Sequence, residues 1–441
     1  MSLFMRRESS VAVRSSTEPA SAGPGARSGA VLAAATLIAG VLGYAFILIL
    51  SRALGPERYG AVAALLGVAL ISTVTMTAVQ LENTRLVASG RVTSGVVLMR
   101  HSLAVSIATA LVVGLLCPLL VRLLHVDGLT DALVMASLLV PQTFSGGLLG
   151  ILLGRGLTTQ FGMLLVATGA SRMLAAVATL AVGGDETFAL VTAVVGGLAA
   201  CALGVWQVLI SEPSDAGVAP EAFGWAGLAR AAAGAGALMV LLNADLLASR
   251  GVLPSRESGW YAFLVVFGRF TFWGTNFLSL WIFPHVAAKG STTRAVRAAL
   301  GVVVLVGAAA VLGAWLFGRP LVRLLAGESY LPAAGHAPAF ATAGVLLAVV
   351  QLATYVDVAR ARHTVGIAVW CASLLLIVLI RVAAPPSVPG VVWTANAVLA
   401  ATALVGILTI LHEPGVRSRR YSARGSIRSS VTVPSKLRWT R

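Results

Sequence analysis

The sequence has little charge and almost no lysine. Only 11% of its 441 residues are charged, whereas soluble domains carry roughly 25%. Among 32 basic residues only Lys289 and Lys436 are lysines. With so few charged residues, most of the protein's surface cannot face water. With 58% hydrophobic residues and a mean hydropathy of +0.91, the composition predicts a chain buried mostly in lipid.

Cysteine is also scarce. Cys117, Cys201 and Cys371 each lie in an apolar run and are far apart in sequence, so they form neither a disulfide framework nor a metal-ligand spacing. The sequence has no phosphate-binding loop, no H-E-x-x-H motif and no nucleophile elbow. We therefore expect no catalytic residues, no metal and no cofactor.

The net charge of +16 has its main source in the tails and the short connections. Basic segments beside membrane spans set the orientation of a chain and contact anionic lipid. We therefore exclude nucleic acid as a partner and expect the basic C-terminal tail to contact anionic membrane lipids. Placing both termini on the cytoplasmic side puts most of the basic residues inside, as the positive-inside rule requires.

Twelve apolar runs have about the 20 residues that a membrane span needs. We expect an all-α integral membrane protein with two six-helix bundles, residues 29–210 and 226–411, joined by a cytoplasmic linker at 211–225. Residues 1–28 and 412–441 are predicted to be disordered cytoplasmic tails. The predicted spans are 29–50, 59–80, 102–124, 132–153, 160–182, 187–210, 226–248, 259–283, 295–317, 337–359, 364–382 and 390–411.

Two turns organise the chain. The segment LSRALGPERYG covers Leu50–Gly60, and ASRGVLPSRESGWY covers Ala248–Tyr261. Each follows an apolar run, contains an arginine and a short Leu/Gly/Pro turn, and ends with an acid and a glycine. Repeated halves are common in transporters. Because six spans is an even number, the repeat predicts a pseudo-two-fold axis along the membrane normal.

These turns resemble those of the polysaccharide/oligosaccharide exporter branch of the multidrug/oligosaccharidyl-lipid/polysaccharide (MATE-like) flippase superfamily. The R-x-L-G-P-x-x-Y-G turn corresponds to Arg52–Gly60. An Asp-containing segment that ends in G-x-Y corresponds to Asp245–Tyr261. The resemblance implies a transporter of the bacterial cytoplasmic membrane, with a glycan polymerase or glycosyltransferases as possible partners. It also implies structural or gating roles for the turn residues Asp245, Arg52, Gly60 and Gly259.

Two arginines near the middle of spans are the candidates for substrate binding. A charged residue at this depth costs at least about 2.5–3.5 kcal/mol, so it should face a cavity or a partner. Polar residues share the faces of these arginines at helical spacing, and the second span adds a polar stripe that includes Thr73 and Thr84. The predicted substrate-binding residues are Arg269, Arg172, Asn276, Trp273, Thr168, Gln80, Thr77 and Arg85.

These features favour an anionic cargo. In the first hypothesis the two arginines face a shared cleft and bind a polyprenyl-pyrophosphate-linked glycan, because guanidinium groups form bidentate hydrogen bonds with phosphates. The alternative is a cation-coupled multidrug exporter, which needs carboxylates in its cleft. Glu82, Asp245 and Asp357 all lie near span ends. We expect Asp245 to pair with Arg250 or Arg256 at the rim. A non-transporting membrane scaffold is a third class.

Overall fold

The chain folds into α-helices. The computed structural model describes residues 24–91, 94–126, 128–213, 225–287, 292–359 and 364–411. Within these ranges, the side chains of residues 24–27, 225–235, 276–287, 292–295, 358–359 and 410–411 are not described. The helices are α1 (Pro24–Ala88), α2 (Gly95–Leu124), α3 (Leu129–Gly154), α4 (Thr158–Val182), α5 (Glu186–Ile210), α6 (Trp225–Arg250), α7 (Ser255–Ala287), α8 (Thr292–Leu325), α9 (Ala337–Ala359), α10 (Thr364–Val382) and α11 (Val388–Leu411), with a 3-10 helix at Glu328–His336 between α8 and α9.

Helix α1 contains two of the predicted spans. It is 65 residues long, and Gly55 alone breaks its helical backbone, with φ 68° and ψ 174°. A positive φ is accessible to glycine because it lacks a Cβ atom. Pro56 follows and suits the first turn of a new helix, where its missing N–H is not needed. The turn predicted over Leu50–Gly60 is therefore much shorter than expected.

The contacts of α1 show that the chain reverses direction at Gly55. Before the break, Ala35 lies against Gly162 and Leu42 against Gly169, so this part runs parallel to α4. After the break, Met76 lies against Gly146 and Val87 against Gly154, so this part runs parallel to α3. Since α3 and α4 follow each other through a tight turn, the two parts of α1 are antiparallel. We call them α1a (24–54) and α1b (56–88).

The helices form two lobes. Helices α1 to α5 pack on one another, as do α6 to α11, and α1 makes the principal contacts between the groups with α6 and α7. The end of the molecule that carries Gly55 and the α6–α7 turn at residues 251–254 is called the turn end below. The opposite end is the tail end. Within the described residues, nine helical segments are long and apolar enough to cross a membrane.

The observed helix bounds confirm most predicted spans and correct several ends. Helices α9 and α10 match the predicted ranges, whereas α2 begins seven residues earlier than expected, at Gly95 rather than at 102. Residues 24–28 belong to α1 rather than to the predicted disordered tail. The rest of both predicted tails, and residues 214–224 of the predicted linker, lie outside the described residues.

The start of the predicted linker is fixed to the first lobe. Glu212 accepts hydrogen bonds from the backbone N–H of Gly95 at 2.8 and 3.1 Å and forms an ion pair with Arg155 at 2.6 Å. Its carboxylate therefore satisfies the N-terminus of α2, where backbone N–H groups have no partner within the helix. Arg155 also donates to the Val208 carbonyl and to the Ser211 hydroxyl. This cluster ties together the tail-end termini of α2, α3 and α5.

Candidate functional site

The two lobes meet closely at the turn end through glycines. A methyl group on Gly60 would lie 2.9 Å from the backbone nitrogen of Gly259, and one on Gly259 would overlap the carbonyl oxygen of Pro56. Deeper in the interface, Gly67 lies against Leu246 and Leu247. Small residues allow helices in membranes to approach this closely. The two turns found in the sequence therefore contact each other across the lobes.

Helix α7 buries one face and leaves another partly open. Gly268 packs against the backbone of α9, and Phe272 is fully buried. On the other side, Phe270 and Trp273 are 68% and 45% exposed, and Arg269 is half-buried. The open face points toward α1a, because the ring of Tyr44 meets the ring of Phe270 edge-on with centroids 6.1 Å apart. We call the region bordered by this open face and by α1a the central cleft, and it is the predicted route of the substrate.

Arg269 lies near mid-depth on this open face. It follows the start of α7 at Ser255 by 14 residues (269 − 255), which is about 21 Å of helix. Its Nη2 donates to Asn243 Oδ1 at 2.6 Å, while its Nε is buried and has no hydrogen-bond partner among the described residues. Asn243 in turn donates from Nδ2 to the carbonyl of Met239 at 2.8 Å. A neutral amide therefore holds the guanidinium and leaves its positive charge in place.

Asp245 is the acidic member of the same site. Its Oδ2 accepts a hydrogen bond of 2.8 Å from the hydroxyl of Tyr261, a fully buried residue. Asp245 also interacts electrostatically with Arg269, although no described carboxylate lies within ion-pair distance of that guanidinium.

The expected rim pairing of Asp245 is not what the structure shows. Arg250 instead donates to the carbonyls of Leu124 and His125, and Arg256 lies over the ring of Trp260, with its Cζ 5.6 Å from the ring centroid. The reason is that the carboxylate of Asp245 is turned toward Tyr261, whereas Arg250 reaches the C-terminus of α2. Asp245 therefore belongs to the interior of α6 and α7.

Arg172 has its partner within the first lobe. Its Nη2 donates to Gln142 Oε1 at 3.2 Å, and the Gln142 amide donates to the carbonyl of Ala69 at 2.8 Å. This chain of contacts links α4, α3 and α1b near mid-depth. The described contacts join Arg172 to Gln142 and Arg269 to Asn243, and they do not bring the two arginines together. A shared cleft for both arginines remains a prediction.

The threonines of the predicted polar stripes mostly satisfy their hydroxyls locally. Thr168 bonds to the Leu165 carbonyl, and Thr84 to the carbonyls of Gln80 and Gly150. Hydroxyls in helices commonly bond to their own backbone in this way. Thr84 therefore faces α3. Its hydroxyl joins α1b to α3 and does not line the cleft.

The remaining predicted site residues lie along α1b and α7. Thr77 is exposed and Gln80 is half-buried on α1b. Arg85 is exposed at 57% of its side chain and lies 3.6 Å from the Glu82 carboxylate, the local pair that its spacing predicts. Asn276 follows Trp273 on α7, but its side chain lies outside the described residues.

Sequence reasoning missed the residues that hold the arginines. Asn243 and Asp245 are two positions apart on α6 and bind different partners, Arg269 and Tyr261. Gln142 of α3 accepts from Arg172 and donates to α1b. Lone amides within apolar spans are the signal that could have found Asn243 and Gln142, because such groups need partners in lipid.

Comparison with solved structures identifies the fold. No protein-family model matches the chain, and a search of curated proteins finds no match. An inward-facing multidrug resistance MATE family transporter of the MOP superfamily superposes with a TM-score of 0.65 at 13% identity, covering 84% of this chain and 93% of the other. The lipid II flippase MurJ, in an inward closed conformation, gives 0.65 at 11% identity, covering 87% and 88%.

An outward-facing MATE transporter of the same superfamily gives a TM-score of 0.55 at 14% identity, covering 87% of this chain and 94% of the other. These similarities extend over nearly the whole of each chain, so they concern the complete fold rather than one lobe. The chain is a multi-pass membrane protein with the two-lobe all-α fold that the MATE transporters and the MurJ flippase share.

Proposed function

We propose that this protein is a flippase or exporter that moves a polyprenyl-pyrophosphate-linked oligosaccharide, or a related anionic glycan, across the cytoplasmic membrane by alternating access. The observation that carries the proposal is Arg269. Its guanidinium lies on the open face of α7 near mid-depth and is held by the neutral amide of Asn243, with no carboxylate among the described residues at ion-pair distance. Such a group is suited to bind an oxyanion.

The cost of placing Arg269 supports a binding role. A charged side chain near the middle of a membrane is unfavourable by at least about 2.5–3.5 kcal/mol, and such residues mark substrate pathways. A purely structural arginine is expected to be neutralised by a carboxylate or to have all its N–H groups satisfied. Arg269 shows neither arrangement within the described residues. A pyrophosphate would supply the missing negative charge and would accept hydrogen bonds from the part of the half-buried guanidinium that is accessible.

The aromatic residues around Arg269 fit the rest of such a cargo. Trp273 lies one helical turn from Arg269 on the same open face, and Tyr44 of α1a packs against the neighbouring Phe270. Aromatic faces and hydroxyls are suitable contacts for sugar rings, while the lipid tail stays in the bilayer. Arg172 is the second cation of the proposed route. It lies in the first lobe and would contact cargo when the two lobes rearrange.

Asp245 is the observation that favours the second candidate, a cation-coupled multidrug exporter. Its half-buried carboxylate, hydrogen-bonded to Tyr261, lies close enough to Arg269 for the two charges to interact. Carboxylates of this kind bind protons, metal cations or cationic drugs. Within the described site, however, Arg269 is the charge on the open face, and Asp245 is turned toward Tyr261. The balance of exposed charge therefore supports an anionic cargo.

The test uses the full chain reconstituted in proteoliposomes with a fluorescent polyprenyl-pyrophosphate disaccharide, whose arrival in the opposite leaflet is followed with an impermeant quencher. Arg269→Ala should abolish translocation at a normal protein level. Arg269→Lys should restore only part of it, because an ammonium keeps the charge but lacks the planar fork.

Arg100→Ala, which removes an exposed arginine of α2, is the matched control and should transport normally. Arg85→Ala should cause a smaller loss than Arg269→Ala, because Arg85 pairs with Glu82. Full translocation by a well-folded Arg269→Ala protein would show that the cargo is held by other residues. Transport of a cationic dye in place of the glycan would favour the multidrug exporter.

A further inference from the structure

Arg250 crosses from the second lobe to the first at the turn end. It is the last residue of α6, and its side chain is buried, with 4% of the residue exposed. Its Nε donates to the carbonyl of Leu124 and its Nη2 to the carbonyl of His125, both at 3.1 Å. Leu124 ends α2 and His125 is its C-cap. An arginine of one lobe therefore binds the C-terminus of a helix in the other.

Arg52 makes the reverse connection from the first lobe to the second. It lies two residues before the end of α1a, and its Nη2 donates to the carbonyl of Leu324 at 2.7 Å. Leu324 is in the last turn of α8. Each arginine thus ends the first span of its own lobe and binds the C-terminus of the third span of the other lobe.

The two contacts occupy equivalent places in the repeat. The two arginines are 198 residues apart (250 − 52), and the two accepting leucines are 200 apart (324 − 124). Because the two offsets are nearly equal, the same contact between an arginine and a helix C-terminus occurs twice. One copy runs from the first lobe to the second, and the other runs from the second lobe to the first.

The chemistry of these contacts suits a reversible closure. The last carbonyls of a helix have no partner within the helix and carry the negative end of its dipole. A guanidinium satisfies them without a carboxylate, so only one charge, that of the guanidinium, has to be desolvated on closure. When the lobes separate, water can replace the guanidinium at the same carbonyls, and no buried charge is left unpaired. The contact therefore stabilises the closed arrangement without preventing the open one.

Further cross-lobe contacts lie at the same end. Arg381 of α10 donates to the carbonyl of Leu123 at 2.9 Å, and the buried hydroxyl of Tyr330 donates to the carbonyl of Ser51 at 3.0 Å. The close contact of the two glycine turns is also there. Each of the cross-lobe side-chain hydrogen bonds described here lies at the turn end. Opening this end requires all of them to break together.

We propose that Arg52 and Arg250 are a reciprocal pair of latches that holds the turn end closed, and that their release accompanies exposure of the central cleft at that end. Each latch binds a helix C-terminus of the opposite lobe, so the two share a single equilibrium between closed and open arrangements. The inference concerns the conformational change and does not depend on which cargo the cleft binds.

The experiment measures how often the turn end opens. Ala64 is fully buried and lies between Gly60 and Gly67 on the face of α1b that contacts the second lobe. The full chain in lipid nanodiscs carries Ala64→Cys as the only cysteine, after replacement of Cys117, Cys201 and Cys371 with alanine. The rate of modification by an impermeant maleimide reports opening.

Arg250→Ala, which removes two bonds of a buried side chain, should raise this rate at least about tenfold. Arg52→Ala, which removes one exposed bond, should raise it about fivefold. The double variant should raise it at least about 50-fold, because the two distant sites act on one equilibrium. Arg52→Lys should give an intermediate rate, because a lysine retains the charge and one donor but not the planar fork.

The controls remove a neighbouring charge without removing a latch. Arg323→Ala deletes the arginine beside Leu324, which is exposed and pairs with Glu328 in its own lobe. Arg122→Ala deletes an exposed arginine near Leu124. Both should leave the labelling rate within about twofold of the parent, since neither removes a cross-lobe contact.

Equal labelling of Arg52→Ala and Arg323→Ala would overturn the proposal. If Arg250→Ala fails to accumulate as folded protein, the exposed donors Arg52 and Arg381 provide the second double variant. An unchanged rate in Arg52→Ala with Arg381→Ala, at an unchanged melting temperature, would likewise show that these contacts do not control opening.

Discussion

Asn243→Asp is a direct test of the charge in the central cleft. The two side chains have nearly the same shape, so the substitution changes charge rather than volume. It places a carboxylate where an amide oxygen now accepts from Arg269 Nη2 at 2.6 Å. The resulting ion pair would neutralise the guanidinium that we propose as the anion-binding group. An anionic ligand would then have to displace an internal carboxylate.

The magnitude follows from the geometry. Two opposite unit charges 4 Å apart attract by about 4 kcal/mol at an effective dielectric constant of about 20. Arg269 is only half-buried, so water and counterions screen part of this attraction. Taking half of it, about 2 kcal/mol, we expect a pyrophosphate ligand to bind about 30-fold more weakly. The substitution also removes the hydrogen bond from Asn243 Nδ2 to the Met239 carbonyl. Because the new ion pair offsets this loss, the melting temperature should change little.

The assay is equilibrium binding of a short-chain isoprenyl pyrophosphate to the purified protein. Asn396→Asp is a matched control, because Asn396 is a buried amide that donates to the Ala339 carbonyl in the second lobe. That variant should lose stability, since a buried carboxylate without a partner is unfavourable, and any folded fraction should bind normally. Unchanged affinity in a well-folded Asn243→Asp protein would refute Arg269 as the anion-binding group.

Three further predictions follow from other contacts. Gly259→Ala should destabilise the closed turn end by about 1–3 kcal/mol, because the added methyl overlaps the backbone of Pro56; a lower melting temperature in detergent would show it. Glu212→Gln should lower the melting temperature, because it breaks the ion pair with the buried Arg155 at a cost of about 3 kcal/mol. Glu186→Gln, which removes a long and more exposed ion pair, should leave the melting temperature unchanged. A cysteine replacing Ser422, in the tail outside the described residues, should resist an impermeant reagent added outside intact cells.

The span pattern could be predicted from the sequence because each apolar run must match the thickness of a bilayer. That constraint is local, so the predicted and observed ranges of α9 and α10 agree. The break at Gly55 was predicted only as a longer turn. A Gly-Pro pair indicates that the chain turns nearby. The number of residues in the turn depends on how closely α1a and α1b approach each other, which the composition does not give.

The candidate site was predictable only in part. The depth of Arg269 and its helical neighbours follow from sequence position, and the structure places Arg269 and Trp273 on one open face of α7. Its partner was not predictable, because Asn243 is on another helix and reaches Arg269 only through the packing of α6 on α7. The same holds for Gln142 and Arg172.

The sequence by itself determined a helical membrane chain with repeated turns and arginines at depth, because the hydrophobic effect and the cost of charge in lipid act on each segment separately. Only the tertiary structure decided which carbonyl or amide each arginine binds. In the sequence, Arg52 and Arg250 belong to turns that also contain an acidic residue. In the structure, both bind helix C-termini of the opposite lobe. A guanidinium takes the nearest unsatisfied acceptor, and folding alone decides which acceptor is nearest.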